Sequence, residues 1–184
     1  MERTEVGIAL LAIARSAIAR ELDLAHVEQG EADELARIAA TFVTLRRDGE
    51  LRGCIGTVDA WRALADDVRA NALAAAFRDP RFSPLRAREL AHVAIEVSVL
   101  NPSERMPVCE EEAMAAALRP GLDGVVLECN RHRATFLPQV WEQLPRPHDF
   151  LRALKCKAGL GETFWSDDVR VSRYTVEKFV EEAA

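Results

Sequence analysis

At 184 residues the chain has room for one domain or two small ones, and a hydrophobic fraction of 49% with 29% charged residues is ample for a packed core under an ordinary polar surface. The formal net charge of −6 argues against bulk nucleic-acid binding, which needs a concentrated positive field. No apolar run reaches membrane-spanning length, and the apolar stretch at 6–14 is interrupted by Arg15 and Arg20 with no clean cleavage site, so a cytoplasmic protein away from membranes is expected.

The first helix is predicted over 4–22, where Val6, Leu10, Ile13, Ala17 and Ile18 make an apolar stripe. Residues 23–40 are polar and then alanine-rich, with at most a short helix at 31–38. Two β-prone runs follow, 41–47 and 50–58, separated by Asp48-Gly49. Both turn residues tolerate the positive φ of a type I′ hairpin, and a two-residue loop fixes the register. Arg47 should face Glu50, Leu45 should face Arg52 and Val43 should face Cys54. Period-two geometry then puts Arg52 and Cys54 on one face and Leu51, Gly53 and Ile55 on the other.

A second helix is predicted at 61–77, with Leu64, Val68, Ala72 and Ala75 in a stripe and Asn71 on or beside it. Pro80 ends it within Arg78-Asp79-Pro80-Arg81-Phe82, a pattern suited to an ion-paired loop or an anion clamp. A short helix at 84–90 leads to a strand at 92–100. There Val93, Ile95, Val97 and Val99 point one way, and His92, Ala94, Glu96 and Ser98 the other. Residues 101–107 read as a connector between subdomains. Beyond it are a helix at 110–118, a hairpin over 125–137, a helix at about 148–158 capped by Gly159, and a terminal strand at 169–179.

The chemistry is densest in Leu51-Arg52-Gly53-Cys54-Ile55-Gly56. A fixed positive charge near a thiol favours thiolate, and glycines inside a strand mark a bulge or a close approach by backbone or ligand. Cys54 is the candidate nucleophile and Glu96 the candidate acid or base, or else an ion-pair partner for Arg52. Arg52, Gly53, Gly56, Asn71, Arg78 and Asp79 are the candidate substrate-binding residues. The plain alternative is a packed thiol beside Val43 and Leu45. His92 is the best-placed imidazole for a pair with Cys54 formed in space, and Lys155-Cys156-Lys157 reads as a solvated basic face. The four cysteines at 54, 109, 129 and 156 have no close pairing and no zinc-finger spacing with the four histidines, and nucleotide-binding and hydrolase motifs are absent. Reduced thiols are expected, with no metal and no cofactor.

The hexapeptide resembles the signature of the AMMECR domain family, whose prokaryotic members are called AmmeMemoRadiSam system protein A. The likeness extends through Phe42-Val43-Thr44-Leu45, Ala75-Ala76-Phe77-Arg78-Asp79-Pro80-Arg81-Phe82 and Ile95-Glu96-Val97-Ser98-Val99-Leu100. It continues through Arg119-Pro120-Gly121, Asp123-Gly124, Phe136-Leu137-Pro138-Gln139-Val140-Trp141 and Lys157-Ala158-Gly159-Leu160. The resemblance implies an α+β fold of two subdomains, each an antiparallel sheet packed with helices, with the hexapeptide near a cleft between them. Residues 1–38 and 101–184 would form the larger subdomain and 39–100 the smaller. It also implies the company of a Memo-type protein and a radical S-adenosylmethionine enzyme, but no settled reaction. Two functions follow as expectations: a cysteine-dependent enzyme acting on a small molecule or macromolecule with those partners, or a non-catalytic adaptor or ligand carrier for them.

Overall fold

The computed structural model describes residues 3–26, 33–107 and 110–181. Its elements are α1 (Arg3–Glu21), α2 (Asp33–Ala36), β1 (Ile38–Arg47), β2 (Glu50–Gly56), β3 (Arg62–Ala63), α3 (Leu64–Phe77), α4 (Ala87–Leu90), β4 (Val93–Leu100), β5 (Glu104–Arg105), α5 (Glu111–Ala117), β6 (Gly124–Cys129), β7 (His132–Phe136), a 3₁₀ turn at Pro138–Glu142, α6 (Pro147–Lys157), β8 (Arg170–Tyr174) and β9 (Val176–Val180). The fold is α+β, with two antiparallel sheets. Among the described residues no helix is long and apolar enough to cross a membrane.

By contacts the chain divides into Met1–Leu100 with Glu177–Ala184, and Asn101–Val176. This differs from the expected division, which grouped residues 1–38 with 101–184. The physical reason is α1, whose Leu10, Ile13, Ala14 and Ile18 are buried in one core with Val68 and Ala72 of α3 and with Val43 and Ile95 of the sheet. Burying that stripe ties the N-terminal helix to the hairpin unit.

In the first unit the sheet order is β2-β1-β4-β9, with β3 paired to the start of β1. That pairing takes Arg62 and Ala63, so the helix predicted from 61 begins at Leu64. Alternation along β4 sends Val93, Ile95, Val97 and Val99 into the core beneath the helices, on one face as their pattern predicted, and Val43 and Leu45 of β1 lie there with them rather than on the Cys54 face. In the second unit the order is β5-β8-β6-β7. Its core holds Trp141 stacked on Phe150 at 3.8 Å between ring centroids, with the indole N–H donated to the Asp123 carbonyl at 2.7 Å. The terminal strand predicted over 169–179 is two strands broken at Thr175, one in each sheet. Lys155 is also corrected: it is 1% exposed and ion-paired to Glu111 at 2.6 Å, so it does not form a solvated face with its neighbours, although Cys156 is exposed.

The hairpin turns as its residues dictate, with Asp48 at φ 53° and Gly49 at φ 81°. Its register is not the one expected. Arg47 pairs with Glu50 and Arg46 with Leu51, but Leu45 then pairs with Gly53 and Thr44 with Cys54. Arg52 is an extra residue, a β-bulge in the edge strand. The slip hands Cys54 to the Thr44 face and turns Gly53 toward α3, where a Cβ would stand 2.2 Å from the Ala75 carbonyl oxygen.

An edge strand leaves backbone groups unpaired. At Cys54 both are occupied: its N–H donates to the Asp79 carboxylate at 2.8 Å, and its carbonyl accepts from the Arg81 guanidinium at 3.2 Å. Asp79 is buried and also takes the Arg81 guanidinium, Nη2 at 2.6 Å. The Arg81 hydrogen bond holds the Asp79 carboxyl well below the usual carboxylate range, overcoming burial and aided by the Cys54 and Arg81 amides.

Two outcomes are expected. Gly53→Ala should cost about 1–3 kcal/mol, as overpacking against rigid backbone does, and appear as a lower urea midpoint at unchanged slope. Wild-type stability in that variant would show that α3 is not held at that distance. Asp79 has a folded value depressed below its unfolded one, so its contribution is present above about pH 4 and is lost as pH falls through the folded value. Asp79→Asn should therefore cost about 1.5–3 kcal/mol at neutral pH and flatten the acid limb of the stability profile. An acid limb parallel to that of the unmodified chain would count against the clamp.

Candidate functional site

The bulge builds a row across three strands. Cys54 on β2 pairs with Thr44 on β1, and Thr44 pairs with Glu96 on β4. Cys54 is half-buried, and the Thr44 hydroxyl donates to its sulfur at 3.3 Å. The neighbour on this face is thus a hydroxyl, in place of the expected Val43, which points into the core. Strand spacing sets Cys54 and Glu96 about 10 Å apart, too far for direct proton exchange.

Glu96 is ion-paired twice, to Arg46 at 2.7 Å and to Lys178 at 2.8 Å. Burial pushes its carboxyl up, but the hydrogen bonds from Lys178 and Arg46 outweigh this and hold it below the usual range. It is ionised at neutral pH, with no proton to donate and its basicity reduced by two cations. The expected Arg52–Glu96 pair does not form. Arg52 instead donates Nε to Glu89 at 3.2 Å and Nη2 to the Ser83 carbonyl at 3.0 Å. That hydrogen bond is the leading reason the Glu89 carboxyl lies below its ordinary range.

The close approaches at Gly53 and Gly56 are internal: the first admits the Ala75 carbonyl, and a Cβ at the second would stand 2.2 Å from the Phe42 ring. Asn71 is buried, and its amide donates to the Thr41 carbonyl and the Asp67 carboxylate, both at 2.9 Å. Asp67 is fully buried and also accepts from the Thr41 amide, the Thr57 hydroxyl and Arg62 Nε. This network joins β1, β3 and α3 and satisfies its members within itself. Arg78 caps α3 and is exposed. His92 adjoins Val93, the partner of Arg47, and so sits about four residues along the sheet from the Cys54 row.

The structure therefore brings Cys54 together with Asp79, and Glu96 onto the same row, while Asn71 belongs to another network and Arg52 to the loop at 83–89. Sequence reading missed Thr44, Arg46, Lys178 and the role of Arg81. A signal for Arg81 was present, two residues from Asp79 in a loop already read as ion-paired. Thr44 could be found only by locating the bulge. Among the described residues no cluster of histidine, cysteine and carboxylate side chains could hold a metal ion.

The chain as a whole is similar to several known proteins. A protein of Thermotoga maritima is 40% identical over 145 residues, 78% of each chain. One from Methanothermobacter thermautotrophicus is 34% identical over 185 residues, covering 96% of this chain and 94% of its own. The crystal structure of uncharacterized protein PH0010 from Pyrococcus horikoshii matches at a TM-score of 0.87 and 32% identity, over 97% of this chain and 93% of that one. The AMMECR1 family model matches residues 11–179, and the chain belongs to the AMMECR1 family.

Proposed function

We propose that the chain is a small cysteine-dependent enzyme in which Cys54 is the reacting group, working with a Memo-type protein and a radical S-adenosylmethionine enzyme on a small molecule or macromolecule. The observation that carries the reading is the Thr44 hydroxyl donated to a half-buried sulfur. A thiol packed as a small hydrophobe has no need of such a donor, whereas a donor supports negative charge on a reacting sulfur. The Asp79–Arg81 pair fixes the Cys54 backbone on either side of the side chain. Glu96 is then a positioning residue that keeps Arg46 and Lys178 on the same face, where they suit an anionic substrate group.

A second reading has its own support. Asn71, Gly53 and Gly56 are all committed within the fold, as suits an adaptor or carrier that performs no chemistry.

Site-resolved iodoacetamide labelling at neutral pH separates the two. Cys54 should label faster than Cys109, Cys129 and Cys156, and Thr44→Val should slow Cys54 about fivefold, the kinetic equivalent of one hydrogen bond of about 1 kcal/mol, without changing Cys156. Labelling of Cys54 only after denaturation would sink the enzyme reading and leave the adaptor. A further expectation is a Cys54 mass adduct in protein purified together with the two partners, absent from Cys54→Ala.

A further inference from the structure

A cavity of about 540 Å³ lies in the first unit, lined by Arg47, Ser83, Arg86, Arg88, Glu89 and His92. It is formed where the end of β1, the loop at 83–86, α4 and the start of β4 meet. Its volume is that of a small-molecule site, which runs from roughly 300 to 1,000 Å³. Three arginines face one carboxylate there. That carboxylate is already engaged, since Glu89 accepts from Arg52 Nε at 3.2 Å and from the backbone N–H of Arg86 at 2.9 Å. Arg47 reaches Glu89 and the exposed Asp48, each at 3.5 Å. Among the described residues no carboxylate pairs with Arg86 or Arg88.

A second observation points the same way. Arg52 stands behind Glu89 with its side chain 12% exposed, and its Nη1 is a buried donor without a hydrogen-bond partner. Arg52 does not line the cavity itself; its hold on Glu89 uses up that carboxylate and leaves the lining arginines without it. The charge around this cavity is also the reverse of the chain's own, which is −6 overall. Like charges crowded at one concave place repel, so they are stabilised most by an anion among them.

We propose that this cavity binds the phosphate group of a small phosphorylated molecule. Arginine suits phosphate because its planar fork offers parallel N–H donors to two oxygens at once. Arg86 and Arg88 provide the open donors, and the Ser83 hydroxyl and His92 add polar contacts at the wall. A nucleic-acid strand fits less well. Its successive phosphates need an extended basic track, and the net negative charge of the chain repels it beyond the cavity. The site is separate from Cys54 chemistry and stands whether or not that thiol reacts.

The test is titration calorimetry of the full chain at low salt with inorganic pyrophosphate and a short single-stranded oligonucleotide as probes. Pyrophosphate should bind with one-to-one stoichiometry and a Kd of about 1 mM or tighter. The double variant Arg86→Gln, Arg88→Gln should weaken it about tenfold or more, while Arg152→Gln, at an exposed arginine in the second unit, should leave it unchanged. Because both substituted side chains are exposed, the double variant should keep its thermal midpoint. Absence of pyrophosphate binding would overturn the proposal. So would binding that survives the double variant, or binding of the oligonucleotide alone.

Discussion

The buried carboxylate of Asp79 holds the edge of the sheet together. A β-bulge at Arg52 makes β2 irregular where it has no further strand beside it. Left open, the Cys54 amide and carbonyl would be bare edge groups. Asp79 and Arg81 take both, so a short loop stands in for the missing strand. A carboxylate suits the position because it only accepts, and here it collects the Cys54 N–H, the Arg81 N–H and two guanidinium N–H groups. An amide in its place would turn a donor toward one of them. The same few residues fix α3, which ends one residue before Asp79 at its cap Arg78 and whose Ala75 carbonyl lies against Gly53. Strand, loop and helix are thereby tied at one point, and Cys54 sits on it.

How much of this could be read from the chain follows from the range of each interaction. Asp48-Gly49 announced its turn because few residues accept positive φ, a purely local demand. The alternation of Val93, Ile95, Val97 and Val99 announced a buried face for the same reason. The bulge left no comparable mark. One inserted residue reverses every face beyond it, yet Arg52 has a long side chain that is tolerated at either position. The hexapeptide was therefore legible as the chemically densest stretch while its surroundings were misassigned. The expected neighbours Val43 and Leu45 lie in the core, and Thr44 lies beside the sulfur. Long-range pairs were equally hidden. Arg52 meets Glu89 across 37 residues, and Lys155 is buried because Glu111, 44 residues earlier, reaches it. Thr175 breaks the terminal strand with neither glycine nor proline to mark it.

Charge accounts for what remains of the site. The chain is acidic overall, yet the carboxylates near Cys54 are each committed to an arginine or lysine: Asp79 to Arg81, Glu89 to Arg52, and Glu96 to Arg46 and Lys178. Every one of these three carboxyls is held below its ordinary range, so all are ionised and all act as anchors for cations. Glu96 has two cationic partners for one negative charge. The row from Cys54 through Thr44 to Glu96 thus carries a positive excess on its outer face, on a half-buried surface where salt screens less than in bulk water. Such a row suits an anionic group laid beside it. It disfavours a proton relay through Glu96, whose role is to hold the cations in place.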